Sequence, residues 1–160
     1  RQADFLKDHQ SAAKAAEAQT GIPATFMMAQ AAHESGWGKH EIRHADGSPS
    51  HNLFGIKAGA NWKGPVAEVT TTEVIGGVAR KVVAKFRAYS SYAESFGDYA
   101  KLMKNSPRYA GVISQVQGHG ASAQGFAQSL ARAGYASDPA YADKLTRVIN
   151  TTLRLQRSVA

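Results

Sequence analysis

The chain contains no cysteine and no long apolar run. The first absence excludes a disulfide scaffold and a thiolate metal site, and it is compatible with either a reducing or an oxidising compartment. The second excludes a membrane-spanning helix, which needs about 20 consecutive apolar residues. No internal repeat period is visible. Acidic residues are scarce: 12 Asp and Glu stand against 19 Lys and Arg, giving a formal net charge of +7. Such an excess favours polyanionic partners such as nucleic acid, an anionic membrane surface or an acidic wall polymer. No segment carries a dense Arg/Lys stripe or a nucleic-acid motif, so nucleic acid is not expected as a partner; its mark would be binding that collapses as salt is added. What is present, 43% hydrophobic and 19% charged residues over 160 positions, describes a globular chain with room for one sizeable core, and a single domain over residues 1–160 is expected. The first residue is Arg and no signal peptide precedes it, which suggests a piece of something longer.

Periodicity divides the chain into helix, hairpin and helix. "DFLKDHQSAAKAAEAQTG" has the composition of a helix closed by Gly21. A second helix is expected to start at Thr20 or Gly21 with Pro23 just inside, and to run through Phe26, Met27, Ala31 and Glu34 until Gly36 and Gly38 stop it. Residues 39–65 read as an ordered loop with "HNLFGIKAG" as an apolar knot. From Val66 to Tyr89 the period becomes two, broken by Gly76-Gly77, the signature of a hairpin whose register faces Glu73 with Arg80 and Thr71 with Val82. Four further helices follow in "SYAESFGDYAKLMKN", "SPRYAGVISQV", "SAQGFAQSLARAG" and "DPAYADKLTRVINTTLRL", with Pro107 and Pro139 just inside two of them. The expected class is α+β: a helical body (1–38 and 90–155) with an inserted loop and small β-lobe (39–89).

The chemistry centres on "FMMAQAAHESGWG". Glu34 shares the helix stripe of Met27 and Ala31, so it faces the core rather than solvent. Burial and the negative end of the helix dipole both disfavour its charge, leaving a carboxyl that holds its proton near neutrality, as a general acid must. The plainer alternative is a helix-end Glu paired with Lys39 or Arg43. His33, Glu34, His40, His44 and His51 do not form HExxH, because the next histidine comes too late and two glycines break the helix; neither a metal nor another cofactor is expected. Glu73 is either a cross-strand partner of Arg80 or the second carboxylate of a glycosidase pair. Among the aromatics, Trp37 and Trp62 stand out because they sit among glycines and polar residues, where flat faces suit sugar rings; Phe54, Tyr89, Tyr92, Tyr135 and Tyr141 complete the set.

"AAHESGWG", "HNLFGIKAGANWKGP", "TTTE", "KFRAYSSYAESFGDYAKLM" and "AGYASDPAYADKL", in this order across about residues 20–155, resemble glycoside hydrolase family 73, which includes the peptidoglycan hydrolase domains of flagellar FlgJ proteins. The resemblance implies a lysozyme-like α+β fold with a groove between a helical lobe and a β-lobe, and endo-β-N-acetylglucosaminidase activity on glycan strands. It places the family's helix-end acid on Glu34, its second proposed carboxylate on Glu73 and its active-site tyrosine on Tyr135 in "GYASDP", with Tyr141 close behind as the alternative. Trp37, Asn52, Phe54, Trp62 and Tyr141 are the substrate-binding candidates. It further implies a periplasmic site of action, opening the wall for the flagellar rod, and rod proteins as partners of a missing N-terminal region. His33 before the acid and Ser137, where threonine is often seen, are mild departures. A lytic transglycosylase and a non-catalytic wall-binding module are the competing readings.

Overall fold

The computed structural model describes residues 1–118 and 120–159. Its elements are α1 (Gln2–Thr20), α2 (Ala24–Ser35), β1 (Val66–Ile75), β2 (Val78–Arg87), α3 (Tyr92–Asn105), a 3₁₀ turn (Pro107–Tyr109), α4 (Ala110–Gly118), α5 (Ala123–Arg132) and α6 (Tyr141–Val159). The order is the expected one, helices on either side of a single hairpin.

Helix α2 is apolar nearly all round, and it is accordingly interior: Phe26, Met27, Met28, Ala29, Ala31 and Ala32 are all buried. Its start differs from expectation. Pro23 is the N-cap rather than the first helical residue, and the Thr20 hydroxyl turns back to donate to Ala16 O and accept from Ile22 N. The orphan N–H of Ala24 instead donates to Glu17 Oε1 of α1 at 2.8 Å, which ties the first two helices together. Hydroxyl caps appear where serine offers them: Ser91 accepts from Glu94 N on α3, and Ser122 from Gly125 N on α5. Helix α6 begins later than its sequence suggests. Asp138 Oδ1 accepts from Ala140 N and Asp138 O from Tyr141 N, so Pro139 lies in a turn and Tyr141 opens the helix, buried against α2.

The hairpin forms with the expected register, Glu73 opposite Arg80 and Thr71 opposite Val82. Gly76 and Gly77 have φ of 58° and 81°, as a type I′ turn requires. The outer ribbon stands in solvent, with Val74, Ile75, Val78 and Val83 all more than half exposed. A lone two-stranded ribbon is marginal in water, and here its base is fastened. Arg87 pairs with Asp98 of α3 at 2.9 Å, the Tyr89 hydroxyl donates to the same carboxylate, and the Arg87 guanidinium lies 4.7 Å from the Trp62 ring centre.

The 39–65 loop is organised by one side chain. Asn52 Nδ2 donates to Ile56 O and Arg87 O, while its Oδ1 accepts from Phe54 N and Ile56 N. All of the amide's principal hydrogen-bonding capacity is used inside the fold, and Asn52 is 1% exposed. Phe54 then drops into the core, stacked on Tyr99 at 4.1 Å and edge-on to Phe96 at 5.0 Å. Asn52 and Phe54, expected at a substrate surface, are thus interior: the burial that the loop needs to be ordered consumes both side chains.

Candidate active site

Glu34 sits in the last turn of α2, half-buried, and its carboxyl is not paired with Lys39 or Arg43; Arg43 pairs with Glu41 instead. The partner of Glu34 is Tyr141, whose hydroxyl donates to Oε2 at 2.8 Å. Desolvation pushes the Glu34 carboxyl up to about 7, against the opposing effect of the Tyr141 hydrogen bond. At neutral pH a substantial fraction of the side chain therefore carries a proton, the state in which a carboxyl can donate to a leaving oxygen.

The direction of that donation is set by residues behind the carboxyl. Tyr99, fully buried, donates its hydroxyl proton to Gln30 Oε1, and Gln30 Nε2 donates to Tyr141 Oη at 3.2 Å. Because the Tyr141 oxygen receives the amide N–H, its single proton is free to point at Glu34. Glu34 Oε2 is then occupied as an acceptor, and the carboxyl's own proton belongs on Oε1. That oxygen faces Gly55, where a Cβ would come to 3.8 Å. Gly55 has φ of 67°, a conformation that favours glycine, and it places no side chain beside Oε1.

Tyr135 lies beside this group with its ring stacked on Tyr141 at 6.1 Å, but its hydroxyl donates to Phe54 O. The tyrosine hydroxyl that touches the acid is thus that of Tyr141, whereas Tyr135 clamps the loop that carries Gly55. His33 packs edge-on against Tyr141 at 5.5 Å.

The remaining candidates are dispersed. Glu73 is exposed two positions from the end of β1, and although Arg80 is its register partner, the two are not among the described ion pairs. Trp37 packs edge-on to Phe5 of α1 at 5.8 Å and borders a separate depression with His9 and Tyr92. Trp62 is folded onto the ribbon base, its Nε1 donating to Pro65 O at 2.8 Å. The structure thus brings together Glu34, Tyr135 and Tyr141. Sequence reasoning misses Gln30 and Tyr99. A signal for Gln30 exists, since it is the one amide in an apolar helix and lies four residues before the acid.

A family model described as glucosaminidase, mannosyl-glycoprotein endo-beta-N-acetylglucosaminidase, matches residues 10–154. Peptidoglycan hydrolase FlgJ of Escherichia coli K12 is 53% identical over 145 residues, which is 91% of this chain and 45% of that protein. The chain thus spans about half the length of the curated FlgJ relatives it matches. Among solved structures, the crystal structure of a peptidoglycan hydrolase from Sphingomonas sp. A1 superposes with a TM-score of 0.83 at 46% identity, covering 99% of this chain and 95% of that one. A C-terminally truncated glycoside hydrolase domain from Salmonella typhimurium FlgJ gives 0.78 at 48% identity, over 96% and 99% of the two chains. A family match over nearly all of the sequence, with an α+β fold shared at close to half identity, places this chain in the glucosaminidase family of glycoside hydrolases.

Proposed function

We propose that the protein is a peptidoglycan hydrolase that cuts the glycan strand as an endo-β-N-acetylglucosaminidase, with Glu34 as its general acid. The observation that carries this reading is the half-buried carboxyl near neutrality, held by Tyr141 on one oxygen and flanked on the other by Gly55, which has no side chain. A glycosidic oxygen placed at Oε1 would receive the proton as the bond to the anomeric carbon breaks. The wall is periplasmic in this reading, and the FlgJ likeness supports a role in opening it for the flagellar rod, with rod proteins as partners of a further region of the polypeptide. Digestion of purified peptidoglycan followed by mass spectrometry tests the reaction. Soluble fragments ending in reducing N-acetylglucosamine are expected. Anhydro ends would make the protein a lytic transglycosylase, and sedimentation with the wall without release would make it a binding module.

Glu73 is proposed as the second carboxylate, activating water or stabilising the oxocarbenium-like centre when the ribbon bends over a bound strand. The substrate's acetamido group offers an internal nucleophile that needs no such residue. Glu73→Gln is accordingly expected to lower kcat about tenfold, less than loss of the acid does. A loss as large as that of Glu34→Gln, measured on the same substrate, would make Glu73 the obligatory base of an inverting reaction.

A further inference from the structure

Next to the acid lies a depression of about 600 Å³ whose lining includes Gly55, Lys57, Arg87, Arg108, Tyr135 and Ser137. It adjoins Glu34 twice: Gly55 abuts the carboxyl, and Tyr135 is stacked on the tyrosine bonded to it. Its lining contains three cations and no Asp or Glu. Arg87 is neutralised by Asp98, but neither Lys57 nor Arg108 is in any described ion pair.

Arg108 is fixed without losing its charge. Its Nε and Nη2 donate to the carbonyls of Ala133 and Gly134, and its guanidinium lies 5.3 Å from the Tyr109 ring centre. Two neutral carbonyls occupy only part of a fork of five N–H donors, so the rest stay available to an anion without the cost of immobilising the side chain. Lys57 is exposed, but its backbone is pinned, its carbonyl accepting from Arg87 Nε and its bridge to Phe86 joining it to β2. A neutral sugar has no use for two uncompensated positive charges.

We propose that this depression binds the acidic peptide stem of the glycan strand, with Lys57 and Arg108 receiving its carboxylates. The inference rests on the peptidoglycan reading above and deepens it: the enzyme would recognise stem-bearing strands in preference to bare ones. Charge-assisted contacts of this kind at a partly open site are worth about tenfold in affinity.

The test uses the Glu34→Gln protein, which holds ligand without turnover, titrated calorimetrically with a peptidoglycan disaccharide carrying its tetrapeptide and with the same disaccharide whose lactyl carboxyl is capped as the methylamide, so that the control carries no carboxylate. The stem is expected to tighten binding about tenfold, and the gain should shrink as salt rises. Lys57→Glu should erase the gain, with the loss confined to the stem-bearing ligand, and Lys57→Arg should restore it. Equal affinity for both ligands, or a gain that survives Lys57→Glu in a protein folded by circular dichroism, overturns the proposal. Fragment release by the wild type is scored separately. Hydrolysis without a stem-dependent gain sinks this site and spares the acid, while the reverse result keeps the site and removes the acid.

Discussion

Glu34→Gln is expected to lower kcat for glycan cleavage about 10³-fold while leaving the protein folded, the loss usual for removing a positioned general acid. The amide is nearly isosteric and its oxygen can still accept from Tyr141, so the hydrogen bonds running back to Tyr99 survive. Only the transferable proton is gone. Unchanged turnover would remove the assignment. The same variant has a stability signature of opposite sign. Burial raises the folded-state carboxyl from 4.5 to about 7, so between those values the native protein binds a proton that the unfolded chain has released. Its stability then falls as pH rises through that window, by about 3 kcal/mol once Glu34 is fully ionised. The substituted amide cannot ionise. Melting curves should therefore show the variant more stable than the wild type at about pH 9, with the gap closing near pH 4. The proposed acid thus weakens the fold at alkaline pH.

How far the sequence reaches depends on whether a property is local. The hairpin register follows from alternation and a Gly-Gly turn, so the pairing of Glu73 with Arg80 is legible, and the stripe of Met27, Ala31 and Glu34 predicts a sheltered acid. The limits lie where burial competes with exposure. Phe54 and Asn52 sit in a polar, glycine-rich segment, which says loop but does not say that the loop is ordered by sinking those two side chains inward. Trp62 looks like a sugar platform by its neighbours, yet Arg87, 25 residues later, stacks on it. The choice between Tyr135 and Tyr141 turns on one detail of the chain's path. Asp138 and Pro139 form a turn ahead of α6, and this places Tyr141 at the helix start facing α2. Sequence position alone carries no such direction.

Tyr141→Phe is expected to lower kcat about 10²-fold and to move the alkaline limb of the pH–rate profile upward. Both effects have one origin. The hydroxyl donates to Glu34 Oε2 and holds the carboxyl below the value that burial alone would impose. Without it the proton is bound more tightly, so the acid remains loaded to higher pH. It is also harder to give away, because the carboxylate left after transfer has lost a charge-assisted donor in a desolvated place. A tyrosine that merely filled space would lower the rate without moving the limb, so an unmoved limb would reject this role. Gln30→Met should shift the limb in the same direction by less. It leaves the Tyr141 hydroxyl in place but removes the amide that fixes where its proton points and polarises it toward the acid. The ordering of the three proteins along the pH axis, wild type, then Gln30→Met, then Tyr141→Phe, therefore reads out a chain of donors running from the core to the Glu34 carboxyl.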